Sequence, residues 1–319
     1  MLFSTFLFAL FFLGVFTLYW SLPSGRARVI FLLAASYVFY GAWDYRFLGL
    51  ISFVILVAYI GQHALFRRSN TKARNWITGI SVTLLLATLG VFKYFNFFAD
   101  SFVILLQRAG IEASQPTLSI ILPVGVSFYI FQAIGFIVDV RRGEFKDPRG
   151  FIDTAFFVAF FPQLVAGPIV RAADFFPQID LKKQLSQIPW SGVMVLFMGG
   201  FFKKVVVADN LGLLCVDPVF ADPSGYSQSA IIYASLAYTV QIFCDFSGYS
   251  DMAIAVSRCF GYQIPINFRG PLFSSTITDF WRRWHISLSA WLRDYLYIPL
   301  GGSRNGEGKT LRNLMATMV

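Results

Sequence analysis

The 319-residue chain is poor in the residues that most catalytic and metal sites use. It has two histidines and three cysteines, and no CxxC pair. Cys215, Cys244 and Cys259 lie in or beside apolar segments, so we interpret them as packing residues rather than as a metal site or a disulfide framework. The GxSxG, HExxH, P-loop and dinucleotide-binding signatures are absent too, so the standard hydrolase, zinc-protease and nucleotide-driven classes lack support.

Charged residues are also scarce, at 13% of the chain, whereas 56% of the residues are hydrophobic and the mean hydropathy is +0.63. Soluble domains are about 45–50% apolar, so the composition predicts a polytopic membrane protein. About eight apolar runs predict membrane segments, several of them short or polar enough to be re-entrant or broken. They lie at about 1–20, 29–43, 47–66, 76–98, 117–138, 151–170, 190–202 and 229–256, and a ninth begins near Leu311. No linker, low-complexity tract or repeat divides the chain, so we interpret it as one domain.

Basic residues are distributed unevenly among the predicted connections. Ten lie in three alternate connections, near 21–28, 67–75 and 139–150: Arg26, Arg28, Arg67, Arg68, Lys72, Arg74, Arg141, Arg142, Lys146 and Arg149. The connections near 43–46 and 99–116 carry only Arg46 and Arg108. The positive-inside rule therefore predicts that the first set is cytoplasmic and the N-terminus outside. This distribution accounts for much of the net charge of +9 without a nucleic-acid partner.

The stretch from Thr278 to Gly302, TDFWRRWHISLSAWLRDYLYIPLGG, contains the only histidine that lies within a motif, His285. At helical spacing it predicts one continuous helix with an apolar stripe. The stripe consists of Trp281, Trp284, His285, Leu288, Trp291, Leu292 and Tyr295. Thr276 and Asp279 match the spacing of a capping box at its start.

Two interpretations of His285 are open at this point. An imidazole on an aromatic face is partly desolvated, which lowers its pKa and keeps it neutral and able to accept a proton near neutral pH. That makes His285 the catalytic candidate. The alternative is a packed histidine hydrogen-bonded to a neighbour. His63 belongs to no evident constellation, and we interpret it as an interfacial residue.

Polar residues interrupt the apolar run at 229–256. Asp245 and Asp251 lie within it, and an ionisable group at membrane depth normally faces a partner or a wet cavity. Both are functional candidates; alternatively, each pairs with an arginine such as Arg258 or caps a helix broken at Gly248. We expect Lys203 and Lys204, which follow the run at 190–202, to snorkel to a membrane interface.

The segment FFPQLVAGPIVR at 160–171 contains Pro162, Gly167 and Pro168. These residues disfavour a straight helix through a bilayer, so we predict a bent segment that lines a cavity.

Four stretches of the chain resemble the membrane-bound O-acyltransferase family, in the family's order. They are LPVGVSFYIFQ at 122–132, FFPQLVAGPIVR at 160–171, DFSGYSDMAIAV at 245–256 and DFWRRWHISLSAWLRDYLYIPLGGSR at 279–304. Within the family, they look closest to the alginate-type branch that acetylates polysaccharides. The resemblance implies an all-α polytopic fold with broken or re-entrant helices around a central funnel or tunnel, which joins a cytoplasmic acyl donor to an acceptor outside.

The resemblance also implies roles for particular residues. His285 matches the family's first active-site histidine, which orients or deprotonates the acceptor. The residues that we expect to line the chamber or tunnel are Asp279, Trp281, Arg282, Trp284, Asp245 and Asp251. The family's second histidine lies a few tens of residues further on in a Trp-His-Gly setting, which this sequence lacks. The segment that begins near Leu311 is interrupted at Val319, so we expect residues 1–319 to be a domain truncated at its C-terminus.

The function implied is O-acyl transfer, most simply O-acetyl transfer, to hydroxyls of an exported polysaccharide such as alginate. The donor would be acetyl-CoA or a protein-carried acyl thioester, with no metal and no tightly bound cofactor. The expected partners are membrane lipid and periplasmic acetyltransferase proteins, in the inner membrane of a bacterium. A membrane scaffold that docks an acyl carrier or partner proteins without catalysis is the alternative. A transporter that uses Asp245 and Asp251 is a weaker one.

Overall fold

The computed structural model describes residues 1–23, 25–110, 120–304 and 306–318, which form helices and connections with no β-strand among them. The first eight helices are α1 (Phe6–Ser21), α2 (Arg26–Gly41), α3 (Leu48–Phe66), α4 (Thr71–Arg108), α5 (Val126–Arg142), α6 (Phe151–Ala159), α7 (Phe161–Leu164) and α8 (Ala172–Asp180). The remaining ones are α9 (Trp190–Phe201), α10 (Asp209–Leu211), α11 (Asp217–Ala221), α12 (Gln228–Cys259), α13 (Ile277–Arg283), α14 (Ile286–Leu292) and α15 (Glu307–Met318). Single π-helical turns extend α9, α10 and α14, at Phe202–Ala208, Gly212–Val216 and Arg293–Tyr297.

Among the described residues, four helical stretches are long and apolar enough to cross a membrane, and the chain is a polytopic helical membrane protein. They are Tyr45–Phe66, Thr71–Arg108, Trp190–Ala221 and Gln228–Cys259. The other predicted segments fold as shorter helices, such as α1 and α2 with 16 residues each and α5 with 17. The predicted segment at 117–138 begins at residues outside the described ones. The final residue of the predicted ninth segment also lies outside them.

The predicted bend at 160–171 is confirmed. Helix α6 ends at Ala159, the four-residue α7 follows, and the chain is then non-helical up to α8. Gly167 permits this path, because an added Cβ would lie 2.4 Å from the Cα of Gln163. The side chains of Phe160 and Phe161 are fully buried, so the bend lies inside the protein core.

The run that we predicted to end at residue 202 instead continues through two π-helical turns to Ala221. This long helix packs against α12 backbone to backbone at Gly200 and Gly248. A Cβ added to Gly200 would lie 2.7 Å from the carbonyl oxygen of Gly248, and one added to Gly248 would lie 2.6 Å from that of Gly200. Small residues at such a crossing allow close packing of membrane helices.

The three basic connections lie on one face of the protein, which we call the basic face. The guanidinium of Arg74 donates to the carbonyls of Val140 and Arg141, each at 3.0 Å. Arg26 forms an ion pair with Asp153, near the start of the helix that follows the third connection. The fold therefore brings the three basic connections to one side of the protein, as the charge pattern predicts.

Candidate active site

The continuous helix predicted around His285 was wrong, because the chain breaks at this residue. Helix α13 ends at Arg283 and α14 begins at Ile286. His285 has φ 43° and ψ 54°, and it is the only non-glycine residue in the described ranges with a positive φ. This left-handed conformation is disfavoured for side chains with a Cβ, and such strain is concentrated at functional sites.

Asn267 explains the break. It lies in the non-helical segment between α12 and α13, and its carbonyl oxygen accepts a hydrogen bond from the amide of Ile286 at 2.9 Å. Its side-chain Oδ1 accepts a second one from the amide of Ser287 at 3.2 Å. Asn267 thus satisfies two amides at the start of α14, which have no partner within that helix.

The same Oδ1 atom lies 3.1 Å from Nδ1 of His285. It also accepts a hydrogen bond from the hydroxyl of Ser287 at 2.9 Å. The backbone amide of Ser287 can only donate a hydrogen bond, so the side-chain atom of Asn267 that it contacts is the carboxamide oxygen. This oxygen can only accept. Nδ1 of His285 is therefore the donor, and the lone pair of the neutral imidazole is on Nε2.

Three phenylalanines surround the imidazole: Phe246 at 4.7 Å between ring centroids, Phe128 at 6.1 Å and Phe268 at 6.3 Å. His285 is only 8% exposed and lies outside the four long helical spans. Burial lowers its pKa from 6.5 to about 4. The imidazole is therefore neutral at pH 7 and can accept a proton at Nε2.

Two helices give the depth of His285 below the basic face. Phe128 lies fourteen residues before Arg142 on α5, and Phe246 lies thirteen residues before Cys259 on α12. At 1.5 Å per residue, both distances are about 20 Å. His285 therefore lies about 20 Å, measured along these two helices, from their ends at the basic face.

A cavity of about 130 Å³ lies between α5, α14 and the bent segment, and extends from Ser287 to the basic face. At its outer end, Arg171 pairs with Asp294, and the hydroxyl of Tyr295 donates to Asp139 at 2.6 Å. Inside, the buried amide nitrogen of Gln132 has no hydrogen-bond partner. The cavity thus joins the basic face to Ser287, which, like His285, is hydrogen-bonded to Asn267.

The chamber candidates from α13 have different surroundings. Trp284 packs edge-on against Phe268 at 5.2 Å and so supports the aromatic wall. The hydroxyl of Thr276 accepts from the amide of Asp279 at 3.1 Å, which confirms one of the two hydrogen bonds of the predicted capping box. The carboxylate of Asp279 pairs with Arg283 at 2.9 Å. Trp281 and Arg282 are exposed, and no described contact joins them to His285, so their roles stay predictions.

Asp245 and Asp251 face the helix that continues α9. Asp245 pairs with Lys204 at 2.6 Å, and Asp251 pairs with Lys203. The alternative pairing of the aspartates with Arg258 was therefore wrong, whereas the snorkelling of the two lysines to an interface stays a prediction. Helix α12 also runs through Gly248 without a break. Whether either aspartate lines a tunnel stays a prediction.

Sequence reasoning missed Asn267, Ser287 and the three phenylalanines around His285. Asn267 is separated from His285 by 18 residues and lies in a non-helical segment, so no periodicity connects them. The other histidine, His63, lies near the basic face on α3, where Nδ1 contacts the carbonyl of Tyr59 at 3.0 Å.

The model of the membrane-bound O-acyltransferase family matches residues 142–319, which include Asn267, His285 and Ser287. The chain belongs to this family. It is 44% identical to the probable alginate O-acetylase AlgI of Pseudomonas putida, over all of this chain and 65% of the relative. Identity to the protein of the same name from Azotobacter vinelandii is 43%, over all of this chain and 63% of the relative. Identity to the peptidoglycan O-acetyltransferase of Helicobacter pylori is 34%, over 97% of this chain and 62% of the relative. The chain thus spans less than two thirds of each of these relatives.

Proposed function

We propose that this chain carries the first active-site histidine of a membrane O-acyltransferase, which transfers an acyl group, most simply acetyl, from a thioester to a sugar hydroxyl. The observation that carries the proposal is the Nδ1 contact of His285 with Asn267, which leaves Nε2 as an acceptor inside an aromatic wall. Family membership supports the reaction class.

In the proposed reaction, Nε2 of His285 orients the acceptor hydroxyl and takes up its proton as the oxygen attacks the thioester carbonyl. The new C–O bond forms, the C–S bond breaks, and the proton passes to the departing thiolate. Acid–base assistance of this kind typically contributes about 10²–10⁴ in rate. In a complete member of the family, as the resemblance implies, a second histidine would be the general base in preference to His285, which would assist it.

The proposed donor is acetyl-CoA or a protein-carried acyl thioester that arrives from the basic face. The cavity between Ser287 and Arg171 supports this route, because it begins at that face. For the acceptor we propose a polysaccharide of the alginate type, since the P. putida relative is named for alginate and is 44% identical. Periplasmic acetyltransferase proteins are the proposed partners.

Transfer is tested with membranes that contain the chain, radiolabelled acetyl-CoA and an oligosaccharide of mannuronate. We expect ester-linked label on the sugar that hydroxylamine releases, and its loss in His285→Ala. His63→Ala is the matched control, because it removes the other histidine far from the site. Unchanged transfer in His285→Ala contradicts the proposed role of this residue.

The alternative is a scaffold that holds an acyl carrier without turnover. It predicts that a labelled acyl carrier binds to the membranes equally with and without His285→Ala, while no label reaches the sugar.

For localisation we propose the inner membrane of a bacterium, with the basic face in the cytoplasm and the N-terminus outside. The test uses single cysteines in a variant that lacks Cys215, Cys244 and Cys259. In intact spheroplasts, a membrane-impermeant maleimide is expected to label Arg46→Cys, whereas Lys72→Cys reacts only after lysis. The reverse pattern contradicts this orientation.

A further inference from the structure

A second cavity, of about 420 Å³, opens on the basic face away from His285. It lies between the connection from α8 to α9 and the end of α12. We call it the basic pocket. Its polar lining consists of Lys182, Lys183, Arg258, Gln184, Gln187 and Gln263. No carboxylate is among the described lining residues, so the pocket combines three cations with amide donors.

The walls of the basic pocket are held in place by their own contacts. The side chain of Gln178 bonds the backbone of Gln263 twice, at 2.7 and 3.0 Å. Lys183 packs against Gly261: a Cβ added to Gly261 would lie 3.0 Å from Cδ of Lys183. The carbonyl of Lys183 also accepts a hydrogen bond from Arg28 at 3.0 Å. The pocket is therefore built by tertiary contacts between separate parts of the chain.

The cations of the pocket lack a described carboxylate partner. The ammonium of Lys183 lies 4.8 Å from the ring centroid of Tyr262, and burial lowers its pKa. Arg258 is half-buried, and no ion pair or side-chain hydrogen bond is described for it. The nearest acidic residue in sequence, Asp180, pairs with Arg149 at 2.9 Å. A bound anion would compensate the desolvated charge of Lys183 and pair with Arg258.

The position of the pocket relative to the membrane helices indicates where such an anion comes from. The long span from Trp190 begins directly after the lining residue Pro189, and the span of α12 ends at Cys259 beside Arg258. Trp190 is 42% exposed, and the indole of Trp20 donates to the carbonyl of Cys259 at 3.1 Å. Tryptophans are enriched at membrane–water interfaces, so the pocket lies at headgroup level.

We propose that the basic pocket is a phosphate-binding site, which takes the phosphate of an anionic phospholipid headgroup or of a soluble phosphate compound. Basic pockets between membrane helices on the cytoplasmic side bind lipid headgroups in this way. The site is separate from His285, and this inference does not depend on acyl transfer.

The test is native mass spectrometry of the purified chain with phosphatidylglycerol, with phosphatidylcholine as the zwitterionic reference. The decisive variant is Lys183→Gln with Arg258→Gln. Each basic group near a headgroup contributes roughly a factor of five in affinity, so we expect about a 30-fold loss of phosphatidylglycerol binding. The matched control is Lys72→Gln with Lys146→Gln, which removes two exposed charges elsewhere on the basic face and is expected to bind as the parent chain does.

Two further arms complete the experiment. Arg258→Lys keeps the charge and is expected to retain most of the binding, which separates loss of the site from misfolding. If 3′,5′-ADP or inorganic pyrophosphate displaces phosphatidylglycerol and its own binding depends on the same residues, the site belongs to a soluble phosphate. If phosphatidylglycerol stays bound in their presence, the site belongs to the lipid. Equal losses in the pocket variant and the matched control, or no preference for phosphatidylglycerol together with no binding of either soluble phosphate, overturn the proposal.

Discussion

The carboxamide oxygen of Asn267 and Nδ1 of His285 lie 3.1 Å apart, although 18 residues separate them along the chain. The same oxygen accepts hydrogen bonds from the amide and hydroxyl of Ser287. One buried oxygen thus accepts a hydrogen bond at the start of α14, directly after the break between the two helices, and also sets the tautomer of the imidazole. The strained backbone at His285 and the free Nε2 atom have a common origin in this contact.

Replacing Asn267 by Ala is expected to remove the preference for the Nδ1–H tautomer, because no other side chain is described as hydrogen-bonded to this nitrogen. The measurement is ¹⁵N NMR of histidine-labelled protein in a His63→Asn background, where His285 is the only histidine. Acyl transfer is expected to fall at least about tenfold, since a misoriented base loses part of its contribution. Asn210→Ala, at an exposed position, is the control. An unchanged tautomer in Asn267→Ala would contradict the role assigned to Asn267.

The pH dependence of transfer follows from the burial of His285. Its pKa is about 4 in the folded protein, so the rate is expected to be level near neutrality and to fall only as the pH approaches this value. The free energy of unfolding has a different profile. Between pH 6.5 and 4 the unfolded chain binds a proton at His285 that the folded chain does not, so stability decreases as the pH falls through this range. Denaturant titrations of the parent and of His285→Asn at pH 7 and pH 5 test this: the difference in stability between the two pH values is expected to shrink in the variant.

The pairing of Lys203 with Asp251 predicts a pattern in a double-mutant cycle. Lys203→Met or Asp251→Leu alone leaves one charge unpaired between two membrane helices, which is expected to cost on the order of 1–3 kcal/mol. The combined variant is expected to recover most of this loss. Thermal unfolding in detergent provides the measurement, and Arg46→Gln, which breaks a surface pair with Asp44, serves as the control. Strictly additive losses would show that the two residues do not interact.

The close approach of α9 and α12 predicts that adjacent glycines respond differently to the same change. Gly200→Ala puts a methyl group 2.7 Å from the carbonyl oxygen of Gly248, so the helices must separate, at a cost of about 1–3 kcal/mol. Gly199→Ala is the matched control, because nothing lies within 4 Å of its added Cβ. We expect the melting temperature to fall for Gly200→Ala and to stay unchanged or rise slightly for Gly199→Ala. Equal behaviour of the two variants would refute the helix contact.

Several elements could be predicted from the residues because their causes are local. The apolar composition reflects the solvent that the helices meet, and the clustering of basic residues in alternate connections indicates which of them share a side. Pro162, Gly167 and Pro168 act on their own backbone, so the bend at 160–171 was predictable. The family motifs identified His285 as a member of the candidate site.

The break at His285 was beyond such reasoning. The apolar stripe through Trp284 and Leu288 favours an uninterrupted helix, and nothing within that stretch opposes it. The opposing contact comes from Asn267, whose hydrogen bonds to the start of α14 outweigh the local preference. The partners of Asp245 and Asp251 were missed for the same reason, since Lys203 and Lys204 belong to a neighbouring helix.

Residue composition and spacing were thus sufficient for the membrane class, the basic face and the bent segment, and the family motifs were sufficient for the choice of His285. The tertiary structure alone decided the tautomer of His285, its aromatic surroundings and its distance of about 20 Å along α5 and α12 from the basic face. The physical reason is range: hydropathy and turn chemistry act on neighbours in sequence, whereas hydrogen bonds and burial depend on residues that only folding brings together.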